Sequence, residues 1–223
     1  MTSLSRVLAI VLLAGMALLG AGAVLHPMLT GDAATDLRLI AATGSWRAIH
    51  LAMLAGTALV MMGVGVRLFQ GCGISPSLAL AMLLLVVGLG INGLDAGYMV
   101  SAGWHAASRF AGGDGAMLAI YDITHPIGTV AARFGNLIVA LGAAMLGAAE
   151  WRDRTRSRWY ALLAWLAAAG GLVGAVAFDE GSRMNLGAVA LLSGWQLVTA
   201  VAALRAREPE AAPAPPPARE LVS

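Results

Sequence analysis

Charge is scarce in this 223-residue chain, in which 12% of the residues are charged and 59% are hydrophobic. A soluble domain carries about 25% charged residues, so the composition is typical of a protein built for a lipid bilayer. The formal net charge is only +2. Because no basic block interleaved with aromatic residues occurs either, we do not expect nucleic acid as a partner.

Cysteine is nearly absent as well, with Cys72 as the single example. One thiol excludes an intrachain disulfide, a cysteine-ligated iron–sulfur cluster and a zinc finger. The sequence also lacks a phosphate-binding loop and a recognisable nucleophile–base pair, which argues against a hydrolase or an ATPase. The local metal motifs H-x-x-x-H and H-E-x-x-H are missing too, so any metal site must be assembled from separate helices.

Long hydrophobic runs, by contrast, predict an all-α bundle of six transmembrane helices within residues 1–204, followed by a disordered Pro/Ala-rich tail at 205–223. The expected spans are approximately Val7 to Leu25, Trp46 to Arg67, Leu78 to Ser101, His125 to Ala149, Trp159 to Phe178 and Leu186 to Leu204. The first run is longer than the core of a signal peptide, so we expect it to be retained. A short surface helix is expected near Leu37, Leu39 and Ile40. His125-Pro126 is taken as the start of span four, because proline suits the first turn of a helix.

The distribution of arginine sets the expected orientation. Nine arginines fall in the predicted inner segments and four in the predicted outer loops, which places both termini in the cytoplasm of a bacterial inner-membrane protein. Tryptophans expected at the membrane boundaries are Trp46, Trp104, Trp151 and Trp159. Glycine-rich faces on spans three and five predict close helix contacts, within the chain, with a second copy or with another membrane subunit.

A polar centre is expected between spans three and four. Asp95 and Arg133 fall at matched depths below the outer ends of these spans, and Asn92 and Asn136 lie about one turn deeper. A charge at the centre of a span costs about 2.5–3.5 kcal/mol on insertion, so two opposite charges at one depth predict pairing. The pair either fixes the helix register or belongs to a proton or substrate path, which Tyr98 would extend outward.

All four histidines fall at predicted outer ends of helices, and they are His26, His50, His105 and His125. An imidazole is tolerated at a membrane interface without any function. The functional interpretation is haem b, for which His50 is the first candidate and His125 the second. His50 is preferred because Met53, Thr57 and Met61 continue its helix face inward. Arg47 or Arg133 would then pair with the haem propionates.

A bound metal ion is the alternative use of the four histidines. Histidine with methionine would suit copper, and histidine with aspartate would suit zinc.

The run Trp46-Arg47-Ala48-Ile49-His50 resembles the opening of the second helix in small haem-b membrane proteins of the styrene oxide isomerase type. In that family a Trp and an Arg-Ala-His run open this helix, and the His ligates the haem; Asn92, Gly97 and Tyr98 echo a pattern in the family's third helix. The resemblance implies that His50 is a haem ligand. If the protein is an enzyme, it is then expected to be a haem-dependent oxidoreductase or isomerase. Two-haem b-type cytochromes of six helices are similar in size, but they need histidines near both faces, and this chain has none near the predicted inner face.

Three functions therefore stay open. The first is a haem-binding membrane protein in redox or haem-dependent small-molecule chemistry. The second is a transporter or proton-coupled permease that uses Asp95 and Arg133. The third is an accessory or structural subunit of a membrane complex.

Overall fold

All secondary structure in the described part of the chain is helical. The computed structural model describes residues 3–69, 75–153 and 158–177, together with positions 191, 192, 194, 195 and 198. The helices are α1 (Ser3–Leu25), α2 (Ala33–Ala42), α3 (Trp46–Phe69), α4 (Pro76–Tyr98), α5 (Trp104–Ala111), α6 (Ala116–Asp153) and α7 (Arg158–Ala177), and a π-helical turn, Met99–Gly103, joins α4 to α5. No strand occurs among these residues, so the all-α prediction is confirmed for them.

Five helical stretches in the described ranges are long and apolar enough to cross a membrane. They are Val7–Leu25, Trp46–Gly65, Pro76–Ala111, Ala116–Arg152 and Arg158–Ala177. The predicted sixth span lies outside the described residues except at a few helical positions, of which Leu192 and Trp195 are buried in the main core. The tail at 205–223 and Cys72 also lie outside the description, and the orientation stays a prediction.

Each span packs against the next one along the chain, in the order α1, α3, α4, α6 and α7. Glycines allow two of these contacts to be close. A Cβ added at Gly56 would lie 2.7 Å from the Gly15 carbonyl oxygen across the α1–α3 interface, and one at Gly135 would lie 2.6 Å from the Gly88 carbonyl oxygen across the α4–α6 interface. Small residues thus bring backbones together within the chain.

The α4–α6 interface repeats every two helical turns. Position 142 of α6 meets Ala81, position 135 meets Gly88 and position 128 meets Asp95, and all three α6 positions are glycines. Seven residues separate successive members on each helix, which is close to two turns. Gly93 and Gly97 form the glycine-rich face predicted for span three, and neither belongs to this repeat. Gly93 contacts α3, whereas a Cβ at Gly97 would meet no atom within 4 Å.

Helix α6 begins well before the predicted start of span four. It runs through His125 and Pro126 from Ala116, so the prediction that these residues open the helix is wrong. A proline within a helix removes one hydrogen bond to the carbonyl four residues earlier. That carbonyl belongs to Asp122, which is exposed, so water can take the place of the missing N–H. The extra turns are held by Met117 and Tyr121, which are buried.

Span three likewise continues beyond its predicted end, through the π-helical turn and into α5. Helices α2 and α5 pack together and against the start of α6, forming a cap at one end of the bundle. The cap has its own hydrophobic cluster, made of Leu37, Ile40, Trp46, Met99, Ala106, Ala107, Met117 and Tyr121. The short helix expected in the first loop is therefore present as α2, and its apolar face is fully buried. We call this end of the bundle the histidine end, because all four histidines lie there.

Candidate functional site

Two of the four histidines meet at the histidine end. His26 directly follows α1, and His50 lies in the first turns of α3. Their Nε2 atoms are 3.1 Å apart. His50 is 2% exposed and His26 is half-buried. Because α1 and α3 are antiparallel neighbours, the end of one helix and the start of the other come to the same level, and this places the two rings together.

The hydrogen bonds of His50 fix its tautomer. Its Nδ1 atom lies 2.9 Å from the backbone carbonyl oxygen of Trp46. A carbonyl can only accept, so Nδ1 carries the hydrogen and donates it. In the neutral ring the Nε2 atom then carries a lone pair and no hydrogen, and it faces His26.

The surroundings of His26 favour the neutral form of its ring. The pKa of His26 is lowered from 6.5 to about 4, mainly by burial and also by the neighbouring His50, and the Pro27 backbone offsets part of this shift. The Nε2 atom of His26 lies at hydrogen-bond distance from the Nε2 lone pair of His50. Because that atom of His50 can only accept, His26 donates its Nε2 hydrogen to it. When the hydrogen of His26 is on Nδ1 instead, both Nε2 lone pairs are available to one cation.

Trp46 covers one side of the pair. Its ring centroid lies 5.1 Å from that of His26 and 4.4 Å from that of His50. The side chain is 0% exposed, and Nε1 donates to the carbonyl oxygen of Met99 at 3.3 Å. The expectation that Trp46 sits in an interfacial belt is therefore wrong, because the cap encloses it.

Asp36 holds the loop that begins at His26. Its carboxylate accepts hydrogen bonds from the Thr30 backbone N–H at 2.7 Å, the Thr30 hydroxyl at 2.8 Å and the Gly31 N–H at 3.1 Å. The residue is 1% exposed. Gly31 has a φ of +83°, a conformation that glycine adopts readily. This role is not predictable from the sequence alone, because an acidic residue in the first turn of a short surface helix is usually solvated. The Thr30-Gly31 turn was the only local signal.

The predicted contact between Asn92 and Asn136 is present. Asn92 Nδ2 donates to Asn136 Oδ1 at 3.0 Å and to the Ala132 carbonyl oxygen at 3.3 Å. Asp95 lies three residues nearer the histidine end on α4, and Arg133 lies three residues nearer it on antiparallel α6. Both residues are half-buried, and the α6 position next to the Asp95 carboxylate is Gly128. Their functional roles stay predictions.

Tyr98 and His125 belong to the α4–α6 side of the histidine end. Thr124 donates its hydroxyl hydrogen to the Ile120 carbonyl at 2.7 Å, so the Tyr98 hydroxyl donates to Thr124 Oγ1, also at 2.7 Å. The His125 ring stacks on Tyr121, with centroids 4.7 Å apart and planes at 11°. His125 is thus packed among aromatic rings rather than against the His26–His50 pair.

His105 and Arg47 are exposed. In a continuous α-helix His105 would share a face with Tyr98, seven residues earlier. The π-helical turn at Met99–Gly103 contains one extra residue and so rotates α5 relative to α4. Among the described residues no group of three or more His, Cys, Asp or Glu side chains could hold one ion. Of the four predicted metal ligands, the structure therefore brings together His26 and His50 alone.

No protein-family model, curated protein or solved structure matches the chain. The resemblance to the styrene oxide isomerase type of protein stays a prediction, carried by the Trp46 to His50 run.

Proposed function

We propose that this multi-pass, membrane-type protein binds a transition-metal cation between His26 and His50. The observation that carries the proposal is the 3.1 Å separation of the two Nε2 atoms. In a tetrahedral site with metal–nitrogen bonds of about 2.0–2.1 Å, two ligand nitrogens lie about 3.3 Å apart. An ion could therefore bind with a small movement of the rings and a shift of the His26 hydrogen from Nε2 to Nδ1.

The environment of both rings suits metal ligation. Imidazole ligands must be neutral to bind a metal, and burial keeps the pKa of His26 low. Metal-bound histidines commonly donate their other N–H to a backbone carbonyl or a carboxylate, which orients the ring. His50 makes this bond to Trp46.

Haem b is the alternative occupant, and it requires a larger change. Ligation by both histidines would need the two Nε2 atoms to separate and admit the porphyrin between them. Ligation by His50 alone would require His26 to move away from the Nε2 atom of His50. It would also require space beside the His50 ring, which Trp46 covers with its ring centroid 4.4 Å away. A bare copper or zinc ion needs neither rearrangement, so we place haem second. His125 and Arg47 keep their predicted haem roles only under that alternative.

Metal analysis of the purified protein tests the proposal. After loading with copper or zinc and exhaustive dialysis, wild-type protein should retain one ion per chain. His26→Ala and His50→Ala should each lose it, while His105→Ala, which changes an exposed histidine at the same end of the bundle, should retain it. Wild-type protein without a retained ion would overturn the proposal. A Soret band in the same samples, lost in His50→Ala, would instead support haem.

A second candidate function is a proton-coupled permease. It is favoured by the polar residues that lie inside candidate spans, where the Asn92–Asn136 hydrogen bond and the Tyr98–Thr124 hydrogen bond flank the level of Asp95. Proton flux into liposomes should then be abolished by Asp95→Asn with the fold intact. If Asp95→Asn and Arg133→Gln together keep every activity and restore stability, the polar centre serves packing alone, as expected of a structural subunit.

A further inference from the structure

Met53 lies one turn below the histidine pair on α3. It follows His50 by three residues, a spacing that puts both side chains on one face of the helix. Side chains on a helix lean toward its N-terminus, and this direction carries the Met53 thioether toward His50.

Gly22 on α1 has no side chain, and Met53 of α3 occupies the space that a side chain there would fill. The Cγ atom of Met53 fills the position where a Cβ on Gly22 would stand, and its Sδ atom lies 3.3 Å from that position. Gly22 is buried on α1, four residues before His26. The thioether therefore lies in the α1–α3 interface, about one helical turn below His50 on α3 and below His26 on α1, and a side chain at position 22 would displace it.

We propose that the thioether of Met53 is the third ligand and that the bound ion is Cu⁺. This inference rests on the proposed metal site at His26 and His50. A thioether is a soft ligand that favours Cu⁺ and contributes little to the binding of Zn²⁺. Two imidazoles and one thioether form a three-coordinate set without a carboxylate or a thiolate, in agreement with the absence of a third His, Cys, Asp or Glu near the pair in the described ranges.

The remaining surroundings suit a cuprous ion. Trp46 is 0% exposed and closes one side of the pair. A water-poor, apolar enclosure favours the ion of lower charge, because the ion of higher charge loses more hydration energy on entering it. Met99 is also buried nearby, but its Sδ atom lies 3.0 Å from the Cβ position of Gly103 and is therefore directed toward α5. Met28, two residues after His26, is 46% exposed, whereas Met53 packs against Gly22 in the α1–α3 interface.

Competition with a chromogenic Cu⁺ chelator, under anaerobic reducing conditions, measures the contribution of Met53. Met53→Leu preserves the volume of the side chain and removes the sulfur. We expect it to weaken Cu⁺ affinity by about 10–100-fold, the range found when metal sites lose a supporting group, and to leave Zn²⁺ affinity unchanged. Met62→Leu, at an exposed methionine of the same helix, should match wild type for both ions.

X-ray absorption of the Cu⁺-loaded wild-type protein provides a second readout that requires no variant. It should show one sulfur and two imidazole scatterers bound to copper, and the sulfur should vanish in Met53→Leu. If copper binding depends on both histidines but no sulfur is seen and Met53→Leu binds Cu⁺ as tightly as wild type, this inference is wrong and the histidine site stands. If wild-type protein binds no metal, both proposals fail.

Discussion

His26 and His50 are separated by 24 positions in sequence, yet they present their Nε2 atoms to each other at 3.1 Å. The His50 ring is oriented by the backbone carbonyl of Trp46, and its Nε2 atom accepts the hydrogen of His26 Nε2. A metal ion bound by both Nε2 atoms would replace this hydrogen bond. Protonation of His26, by contrast, places a charge on a ring whose burial disfavours it.

The first prediction concerns the pH dependence of the metal-free protein. Burial lowers the pKa of His26 from 6.5 to about 4, so the unfolded chain binds the proton more readily than the folded chain. Stability should be constant above about pH 6.5, fall between about pH 6.5 and 4, and level off below that. Thermal unfolding in detergent with a chelator, at a series of pH values, measures this.

His26→Gln should flatten that pH dependence, because the variant lacks the imidazole whose pKa differs between the folded and the unfolded chain. His105→Gln, at an exposed position, should leave the wild-type profile in place. A profile that His26→Gln does not alter would show that the decline belongs to other groups.

The second prediction concerns Asp36. Asp36→Ala removes the acceptor of three hydrogen bonds and leaves the N–H groups of Thr30 and Gly31 without it. A hydrogen bond to a charged group contributes about 1.5–3 kcal/mol, so the free energy of unfolding should fall by about that amount. Hydrogen exchange should accelerate in residues 30–40, and metal affinity should weaken because this loop begins at His26.

Asp32→Asn is the matched control for Asp36→Ala. Asp32 is exposed and caps α2 by accepting from the Thr35 N–H at 2.8 Å, a bond that asparagine can also accept. If both variants weaken metal binding equally, Asp36 has no special role in holding the loop.

The third prediction concerns the contact between α4 and α6. A Cβ at Gly135 would lie 2.5 Å from the Asn92 backbone nitrogen and 2.6 Å from the Gly88 carbonyl oxygen. These are backbone atoms that cannot rotate away, so Gly135→Ala must push the helices apart. We expect a loss of about 1–3 kcal/mol, as for other overpacked interfaces. Gly97→Ala, on the same pair of helices but in open space, should be neutral or stabilising, and equal losses in both variants would argue against close backbone contact.

The fourth prediction concerns the hydrogen bond between Asn92 and Asn136, in which the Nδ2 and Oδ1 atoms are 3.0 Å apart. A double-mutant cycle with Asn92→Leu and Asn136→Leu should give a coupling energy of about 0.6 kcal/mol, the average for hydrogen bonds between transmembrane helices, and no more than about 1.7 kcal/mol. Steric trapping or unfolding in mixed micelles supplies the four free energies. A coupling energy of zero would mean that the two amides act independently.

Sequence analysis anticipated the features that depend on hydrophobicity and on distance along a helix. The apolar runs predicted the positions of the spans, and equal depth predicted the contact of Asn92 with Asn136. These features follow from a helix rise that hardly varies. The choice of His50 as a ligand stays a prediction.

The features that depend on tertiary contacts were not foreseen. The His125-Pro126 pair predicts the start of a helix, but burial of Met117 and Tyr121 in the cap extends the helix on its N-terminal side. Trp46 is predicted to be interfacial, because nothing local indicates that α2 and α5 fold over it. The pairing of His26 with His50 depends on the loop that Asp36 holds, and the π-helical turn before α5 rotates His105 relative to α4.

The three proposed ligands, His26, His50 and Met53, all come from one helical hairpin, α1 and α3. The contact of Asn92 with Asn136 requires α4 and α6, which are synthesised later. During membrane insertion the metal ligands should therefore be in place before the second polar centre exists. An ion captured at that stage would stabilise the hairpin by mass action and provide the later helices with a fixed surface on which to assemble.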